Sequence, residues 1–389
     1  MVRVAHIADT HLGFRQYNLD EREQDIYDVM DEVSEKILEE RVDIVVHSGD
    51  LFDSPRPMAQ AYYAFKKFLA RLDGRVKVFS ILGDHDAPKR RSMPPQKLFD
   101  DRICILGLTG GEYQVLRLDG RDVLVAGISH AARRYRDLLI EELKKLDSIA
   151  ANYSVSIIAL HQAIDRFFAF EEAFELRMDD LPRNFRYYAM GHLHSRVRAS
   201  FGGGELAYSG STEIMRSDEI SDWEKRGKGF YIVDIGSDDL NIREVNLERI
   251  RPQIRVKINY ANFDVELGRF IESLKAYANR KPPIAHITVE GREIDRQRVQ
   301  QALNRALTGK TLYFRPQIIE EFEESIIELK PGDINISVLL REYLKDEKVA
   351  EFGYDLFKVL RSGDVEEAKR IAGEYFRRMM KDDAKESAS

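Results

Sequence analysis

Apolar residues in the first 250 positions fall into short unbroken runs separated by stretches with helical spacing. The runs Val4–Ala8, Ile44–His47, Val76–Leu82, Ile157–Leu160 and Tyr187–Met190 have no polar alternation. That pattern fits strands buried on both faces. Between the first two, Ile26, Val29, Met30, Val33 and Ile37 recur at helical spacing and predict a helix over Glu21–Glu40. Further helices are expected over Met58–Leu72 and Arg136–Leu146. Shorter strands are expected at Ile103–Leu106, Gln114–Leu118, Val123–Ile128, Glu205–Tyr208 and Gly229–Asp234. The alternation predicts an α/β fold, a β-sandwich of mixed sheets flanked by helices.

The pattern changes near Glu248–Pro252. Strands over Gln253–Tyr260, Ile284–Glu290 and Leu312–Pro316 alternate with helices over Asp264–Tyr277 and Arg296–Leu307, a small α+β unit. Its one histidine, His286, lies within a strand and reads as structural. From Asp333 onward the chain reads as short helices, with large apolar side chains over Val338–Leu344, Phe352–Leu360 and Ile371–Met380. Asp364 and Glu367 have the spacing of a capping box. The expected organisation is residues 1–248, 249–330 and 331–381, with 382–389 as a disordered tail.

Length and composition narrow the class. At 389 residues the chain is too long for one ordinary core. A single cysteine, Cys104, excludes an intrachain disulfide framework and fits a reducing compartment. Apolar runs stay short of the ~20 residues that span a bilayer. Met1-Val2-Arg3-Val4 leads directly into a strand without a signal-peptide pattern, so a cytoplasmic location is expected. The net charge of −7 excludes a globally basic nucleic-acid binder. It does not exclude DNA, because bound cations neutralise acidic groups and Lys and Arg cluster locally.

The candidate chemistry lies where the buried strands end. Val4–Ala8 runs into Asp9-Thr10-His11, and Ile44–His47 into Ser48-Gly49-Asp50. Val76–Leu82 runs into Gly83-Asp84-His85-Asp86. Ile157–Leu160 reaches His161, and Tyr187–Met190 reaches Gly191-His192-Leu193-His194. Any one of these alone reads as an acidic turn or a structural histidine. Five together describe a site for two neighbouring cations. Asp50 can bridge them with its two oxygens. Asp9 and His11, two apart on an extended chain, point the same way and can chelate one ion. His192 and His194 share that spacing and reach one ion each if the turn fans them apart. Asp84 and His161 complete the set. Without a thiolate, the donors suit Mn²⁺, Fe²⁺ or Zn²⁺.

Two such ions, about 3.5–4 Å apart, generate hydroxide near neutral pH and hold the attacking and leaving oxygens of a phosphoryl group. The expected reaction is phosphate-ester hydrolysis. His85 is the candidate proton donor to the leaving alkoxide, with Asp86 orienting its ring. His6 and His47 lie inside strands and read as core histidines, and Tyr187-Tyr188 as sheet packing. His130 stays open between structure and substrate contact.

These motifs, in this order, resemble the calcineurin-like metallophosphoesterase superfamily. Within it, Asp9-Thr10-His11-Leu12-Gly13, Gly49-Asp50-Leu51-Phe52 and Tyr188-Ala189-Met190-Gly191-His192-Leu193-His194 look like the double-strand-break repair nucleases called meiotic recombination eleven, SbcD in bacteria. Tyr208-Ser209-Gly210-Ser211 and Lys228-Gly229-Phe230 fit the same branch. The resemblance implies a nuclease that cuts DNA ends with two Mn²⁺ per chain, as a 3′→5′ exonuclease and an endonuclease. It implies a DNA-capping role for the α+β unit, a homodimer, and C-terminal helices that grip a Rad-fifty/SbcC-like ATPase. DNA contacts are then expected from Phe14, Arg15 and Gln16 beside His11, and from Lys89, Arg90 and Arg91 beside His85.

Two positions depart from the pattern. Asp84 stands where the superfamily usually has Asn, which keeps a ligand oxygen and adds a negative charge. Asp53 stands where some members carry a phosphate-contacting histidine, so that role is not carried over. Two rival readings remain. One is a phosphatase or phosphodiesterase of the same superfamily, which the ~140 residues beyond the phosphoesterase core disfavour. The other is a non-catalytic scaffold, disfavoured by seven competent ligand residues.

Overall fold

The computed structural model describes all residues except 89–91, 169–172, 238, 321–335, 362–366 and 376–389. Contacts divide the chain into two units, Met1–Glu321 and Phe322–Ser389.

The first unit runs β1 (Val2–Ile7), α1 (Asp20–Glu39), β2 (Ile44–Ser48), α2 (Ala59–Leu72), β3 (Lys77–Ile81), β4 (Cys104–Ile105), β5 (Glu112–Leu118), β6 (Arg121–Ile128) and α3 (Arg136–Ala150). It continues β7 (Val155–His161), β8 (Tyr187–Gly191), β9 (Val197–Phe201), β10 (Gly204–Tyr208), α4 (Ile220–Arg226), β11 (Gly229–Ile235) and β12 (Leu240–Asn246). These strands build two six-stranded sheets, β12-β11-β1-β2-β3-β4 and β5-β6-β7-β8-β10-β9. β1 to β4 are parallel to one another, as are β6, β7, β8 and β10, and antiparallel pairing closes every edge except that of β4.

The unbroken apolar runs follow from this layering, because each central strand is covered on both faces. Val4, Val46 and Phe79 meet Val125, Ile157 and Tyr187 between the sheets. On the outer face of the first sheet, Ile26 and Val33 of α1 pack with Phe65 and Phe68 of α2. On the second, Leu139, Leu143 and Leu146 of α3 pack on Ile158 and Tyr188. Burying each of these side chains contributes roughly 1.5–3 kcal/mol. With sheets sandwiched and strands parallel, the C-terminal ends of β1, β2, β3, β7 and β8 open at one rim. β9, β12 and α4 were not expected. β9 and β12 are exposed edge strands without a continuous apolar run, and α4 has only two turns.

The chain continues with β13 (Gln253–Asn259), α5 (Phe263–Ser273), β14 (Ile284–Gly291), α6 (Arg296–Leu307) and β15 (Tyr313–Glu320). The three strands are parallel in sequence order, with their own core of Ile258, Phe270, Ile287, Val289 and Leu303. A buried polar seam ties this α+β portion to α1. Asp25 accepts from Arg251 Nε at 2.5 Å and Arg22 Nη1 at 2.7 Å, and pairs with Lys281 at 2.8 Å. Although burial opposes ionisation, these cations hold the Asp25 carboxyl below its ordinary range. Beside it, Gln253 joins Gln16 at 2.8 Å and His286 at 2.9 Å.

The second unit contains α7 (Ile336–Leu344), α8 (Glu347–Arg361) and a helical stretch over residues 367–375. Phe352 and Tyr375 stack with centroids 4.0 Å apart. Val338, Leu339, Tyr343, Phe357 and Leu360 remain exposed. Asp364, residues 376–380 of the last expected helix and the tail 382–389 lie outside the described residues. No helix among the described residues is long and apolar enough to cross a membrane.

Candidate metal centre

The rim of the sandwich gathers the side chains that leave its strands. Backbone geometry there is unusual: Asp9, His11, Asp50 and His192 all have left-handed φ, between 45° and 92°. Such conformations cost of order 1–3 kcal/mol each and persist where the surroundings impose them. Each lets the chain turn sharply after a strand. Close approach also dictates glycine. A Cβ on Gly83 would lie 2.0 Å from Asp50 Oδ1, and one on Gly49, itself at φ 91°, would lie 2.4 Å from His161 Nδ1.

Among the described residues four overlapping groups of potential ligands result, and two of them hold six of the seven expected ligands. In one, Asp9, His11 and His194 bring potential ligand atoms within 4.8 Å of one another; in the other, Asp84, His161 and His192 do so. Asp50 lies between them, its Oδ2 3.6 Å from His11 Nε2 and 3.4 Å from His161 Nε2. His192 and His194 therefore do fan apart, one to each cluster. Asp84 Oδ1 is 3.2 Å from His161 Nε2 and 3.2 Å from His192 Nδ1.

The proton arrangement fits cations at both positions. His161 Nδ1 lies 2.8 Å from the Ser48 carbonyl and must donate to it, which in the neutral ring leaves an Nε2 lone pair on the side of Asp50 and Asp84. His11 Nδ1 lies 3.1 Å from Asp53 Oδ1, and His194 Nδ1 2.9 Å from Glu219 Oε1. With both donating outward, their Nε2 lone pairs face each other at 3.2 Å. Lone pairs so opposed need a positive charge between them. A proton on the rings can supply that charge in place of a cation: burial disfavours a charged His11, yet Asp53, Asp50 and Asp9 raise its pKa to about 9. His161 is raised for the same kind of reason, with Asp50 and Asp84 outweighing burial. Asp50 and Asp84 are correspondingly held well below the carboxylate range by these histidines, against the effect of burial.

His85 stands at the cleft, with its side chain 48% exposed. Its backbone N–H donates to Asp50 Oδ1 at 2.9 Å, and its Nδ1 lies 3.2 Å from the Asp53 carbonyl and 3.6 Å from Asp53 Oδ1. The expectation that Asp86 orients this ring is corrected: Asp86 is fully buried and turns inward. Its carboxylate accepts from Leu51 N at 2.7 Å, Phe52 N at 3.3 Å and Gly83 N at 2.7 Å, and from the Gln96 amide. It clamps the loop of Asp50 to the loop of Asp84. Burial, with the nearby Asp50 charge, pushes its pKa up to about 7. Asp53 takes the place expected for Asp86.

The expected DNA contacts divide. Phe14 lines the cleft of about 610 Å³ that holds His11, Asp84 and His192. Arg15 is exposed, but its charge is paired with Asp20 and with Glu23. Gln16 is corrected: it is buried, donates to the Met215 carbonyl at 3.0 Å and serves the seam instead. Lys89, Arg90 and Arg91 lie outside the described residues. His130 stacks 6.2 Å from His192, and its Nε2 lies 3.8 Å from Glu175 Oε1.

Sequence reasoning missed Glu219. It is buried, holds His194, and receives Ser211 Oγ at 3.0 Å and Lys228 Nζ. Lys228 Nζ also donates to the His194 carbonyl at 2.9 Å. Burial raises the Glu219 pKa less than His194 and Lys228 lower it, to about 2.

Comparisons with known proteins agree with this geometry. The calcineurin-like phosphoesterase family matches residues 2–196. The chain is 37% identical to a DNA double-strand break repair protein Mre11 of Thermoplasma acidophilum, over 93% of this chain and 95% of that protein. A protein of the same name from Methanocaldococcus jannaschii is 40% identical over 65% of this chain and 68% of that one. Another, from Methanococcus maripaludis, is 34% identical over 97% and 99%.

Proposed function

We infer the function from kinship, since the chain belongs to the calcineurin-like phosphoesterases and, among them, to the archaeal DNA double-strand break repair proteins Mre11. It is a metal-dependent nuclease that hydrolyses phosphodiester bonds of DNA in double-strand break repair. The observation that carries the reading is the pair of ligand clusters meeting at Asp50.

Asp9, His11 and His194 would hold one divalent cation, Asp84, His161 and His192 the other, and Asp50 would touch both. When bound, the pair supplies charge to the phosphoryl oxygens and lowers the pKa of an attacking water. We take both ions to be Mn²⁺, which suits mixed carboxylate and imidazole donors. His85 holds a proton at Nε2 for the leaving alkoxide. Asp53, at its Nδ1, steadies the ring. Asp86 keeps the two ligand loops in register. Glu219 and Asp53 fix the tautomers of His194 and His11, so that the Nε2 atoms point inward.

The proposed organisation is a nuclease domain over residues 1–248, a DNA-capping domain over 249–330 and partner-binding helices over 331–381. The exposed Val338, Leu339, Tyr343, Phe357 and Leu360 suit the docking of a Rad-fifty/SbcC-like ATPase. A homodimer working on DNA as 3′→5′ exonuclease and endonuclease, in the cytoplasm at the nucleoid, completes the reading.

The test is incubation of the purified full chain with end-labelled linear duplex DNA and Mn²⁺, with and without the ATPase partner. Shortened labelled strands are expected with Mn²⁺ and none with chelator. An unshortened label under all metal conditions would overturn the assignment.

A further inference from the structure

The metal cleft has an aromatic ring on each side. Phe14 leaves the turn after His11, its ring centroid 6.5 Å from that of His11. Phe168, which the sequence did not single out, follows a short turn at Asp165–Phe167, and its ring lies 6.2 Å from that of His192. His11 belongs to one ligand cluster and His192 to the other. The two rings thus border opposite ends of the place where a scissile phosphate would lie. Both line the cleft of about 610 Å³, and both are only half buried.

A ring that merely filled the core would sit inside one of the clusters of buried side chains. Phe14 packs only against the edge of one, and Phe168 joins none among the described residues. Leaving two phenyl rings half exposed at the cleft that holds the ligand carboxylates and imidazoles forgoes part of the gain from burying them. The nucleosides on either side of a phosphodiester carry flat aromatic bases within reach. Base–aromatic stacking is indifferent to sequence, as end processing requires.

We propose that Phe14 and Phe168 are specificity-determining residues that stack on the nucleobases flanking the scissile phosphate, one ring on each side. This deepens the nuclease reading and rests on it. A base paired within a duplex keeps its faces covered by its neighbours, so the substrate in this cleft is an unpaired stretch or a frayed end.

The experiment compares two single-stranded oligomers of equal length cut by the full chain with Mn²⁺. One carries ordinary bases, and the other carries abasic tetrahydrofuran residues. For the base-bearing oligomer, Phe168→Ala raises KM by roughly ten-fold and Phe14→Ala by a similar factor, in line with the loss of one stacked base. Phe168→Tyr restores the native KM, and kcat moves little. For the abasic oligomer neither alanine variant changes KM. A 2-aminopurine oligomer gives a readout without metal or turnover, because its fluorescence is quenched on binding the unaltered chain and stays bright with Phe168→Ala. Equal losses on both oligomers, or none on the base-bearing one, would overturn the inference and leave the nuclease reading standing. Failure of the unaltered chain to cut the base-bearing oligomer while it still shortens duplex ends would overturn the inference alone, and failure on duplex DNA as well would remove both.

Discussion

The Nε2 atoms of His11 and His194 face each other at 3.2 Å although 183 residues separate them in the chain. Asp53 and Glu219, at their opposite ring nitrogens, hold them there. Outer partners of metal-bound histidines are commonly worth 10–100-fold in affinity. Glu219→Gln should therefore weaken Mn²⁺ binding at one of two sites by about that factor. Titration followed by electron paramagnetic resonance would separate the two sites. Equal affinity in variant and native chain would show that Glu219 serves only the fold.

Asp86 makes a different prediction. Its replacement by Ala strands the N–H groups of Leu51, Phe52 and Gly83 in the interior. Each buried donor left unpaired costs about 1–3 kcal/mol. Asp86→Ala should lower the urea midpoint and lose Mn²⁺ affinity together, because the loops of Asp50 and Asp84 separate. Loss of activity at unchanged stability would instead point to a direct role in the chemistry.

The seam around Asp25 should be stiff. Removing its carboxylate leaves Arg22, which is wholly buried, and Arg251, 6% exposed, without their shared anion. Breaking a buried ion pair from one side costs about 3–5 kcal/mol. Asp25→Ala is expected to destabilise the chain on that scale and to open residues 249–252 to limited proteolysis. Cleavage rates like those of the native chain would contradict this.

Stability should fall on mild acidification for a reason outside the metal centre. Burial holds the His6 pKa at about 3, and that of His47 at about 3, below the ordinary imidazole value of 6.5. Above pH 6.5 both states are neutral and stability is complete. Between that value and about 3 the unfolded chain takes up protons that the folded chain refuses, so stability declines as pH falls. Each ring contributes up to about 1.4 kcal/mol per pH unit. Denaturant unfolding between pH 7 and 4.5 should show a shallower slope for His6→Phe, and an unchanged slope would place His6 outside the effect.

Much of this site could be read in the sequence because its ligands follow directly on buried strands. Asp9, Asp50, Asp84, His161 and His192 each stand within three residues of a strand end, so local pattern and chemistry coincide. Partnerships made by long loops left no such trace. Glu219 reaches His194 from 25 residues away, through a turn before α4 that has no apolar periodicity. Asp86 looked like a neighbour for His85, but side-chain direction depends on the turn and not on adjacency. Gln16 was expected at DNA because it follows His11 closely, yet it is buried and its amide joins Gln253 of the α+β portion. Asp53, set aside as a departure, contacts both His11 and His85.

Asp84 is the other departure. Its Oδ1 sits at 3.2 Å from two ring nitrogens, so Asn at the same place would still offer one oxygen. Asp84→Asn should retain cleavage with a shifted pH profile, while Asp84→Ala should weaken one ion more than the other. The pH–rate curve and metal counts of the two variants decide this.

The most direct test of the two-cation site is anomalous scattering from crystals of the full chain soaked in Mn²⁺. Two peaks are expected about 3.5–4 Å apart. One should lie among Asp9, His11 and His194, the other among Asp84, His161 and His192, with Asp50 touching both. A single peak, or two peaks that Asp50 does not join, would contradict the account.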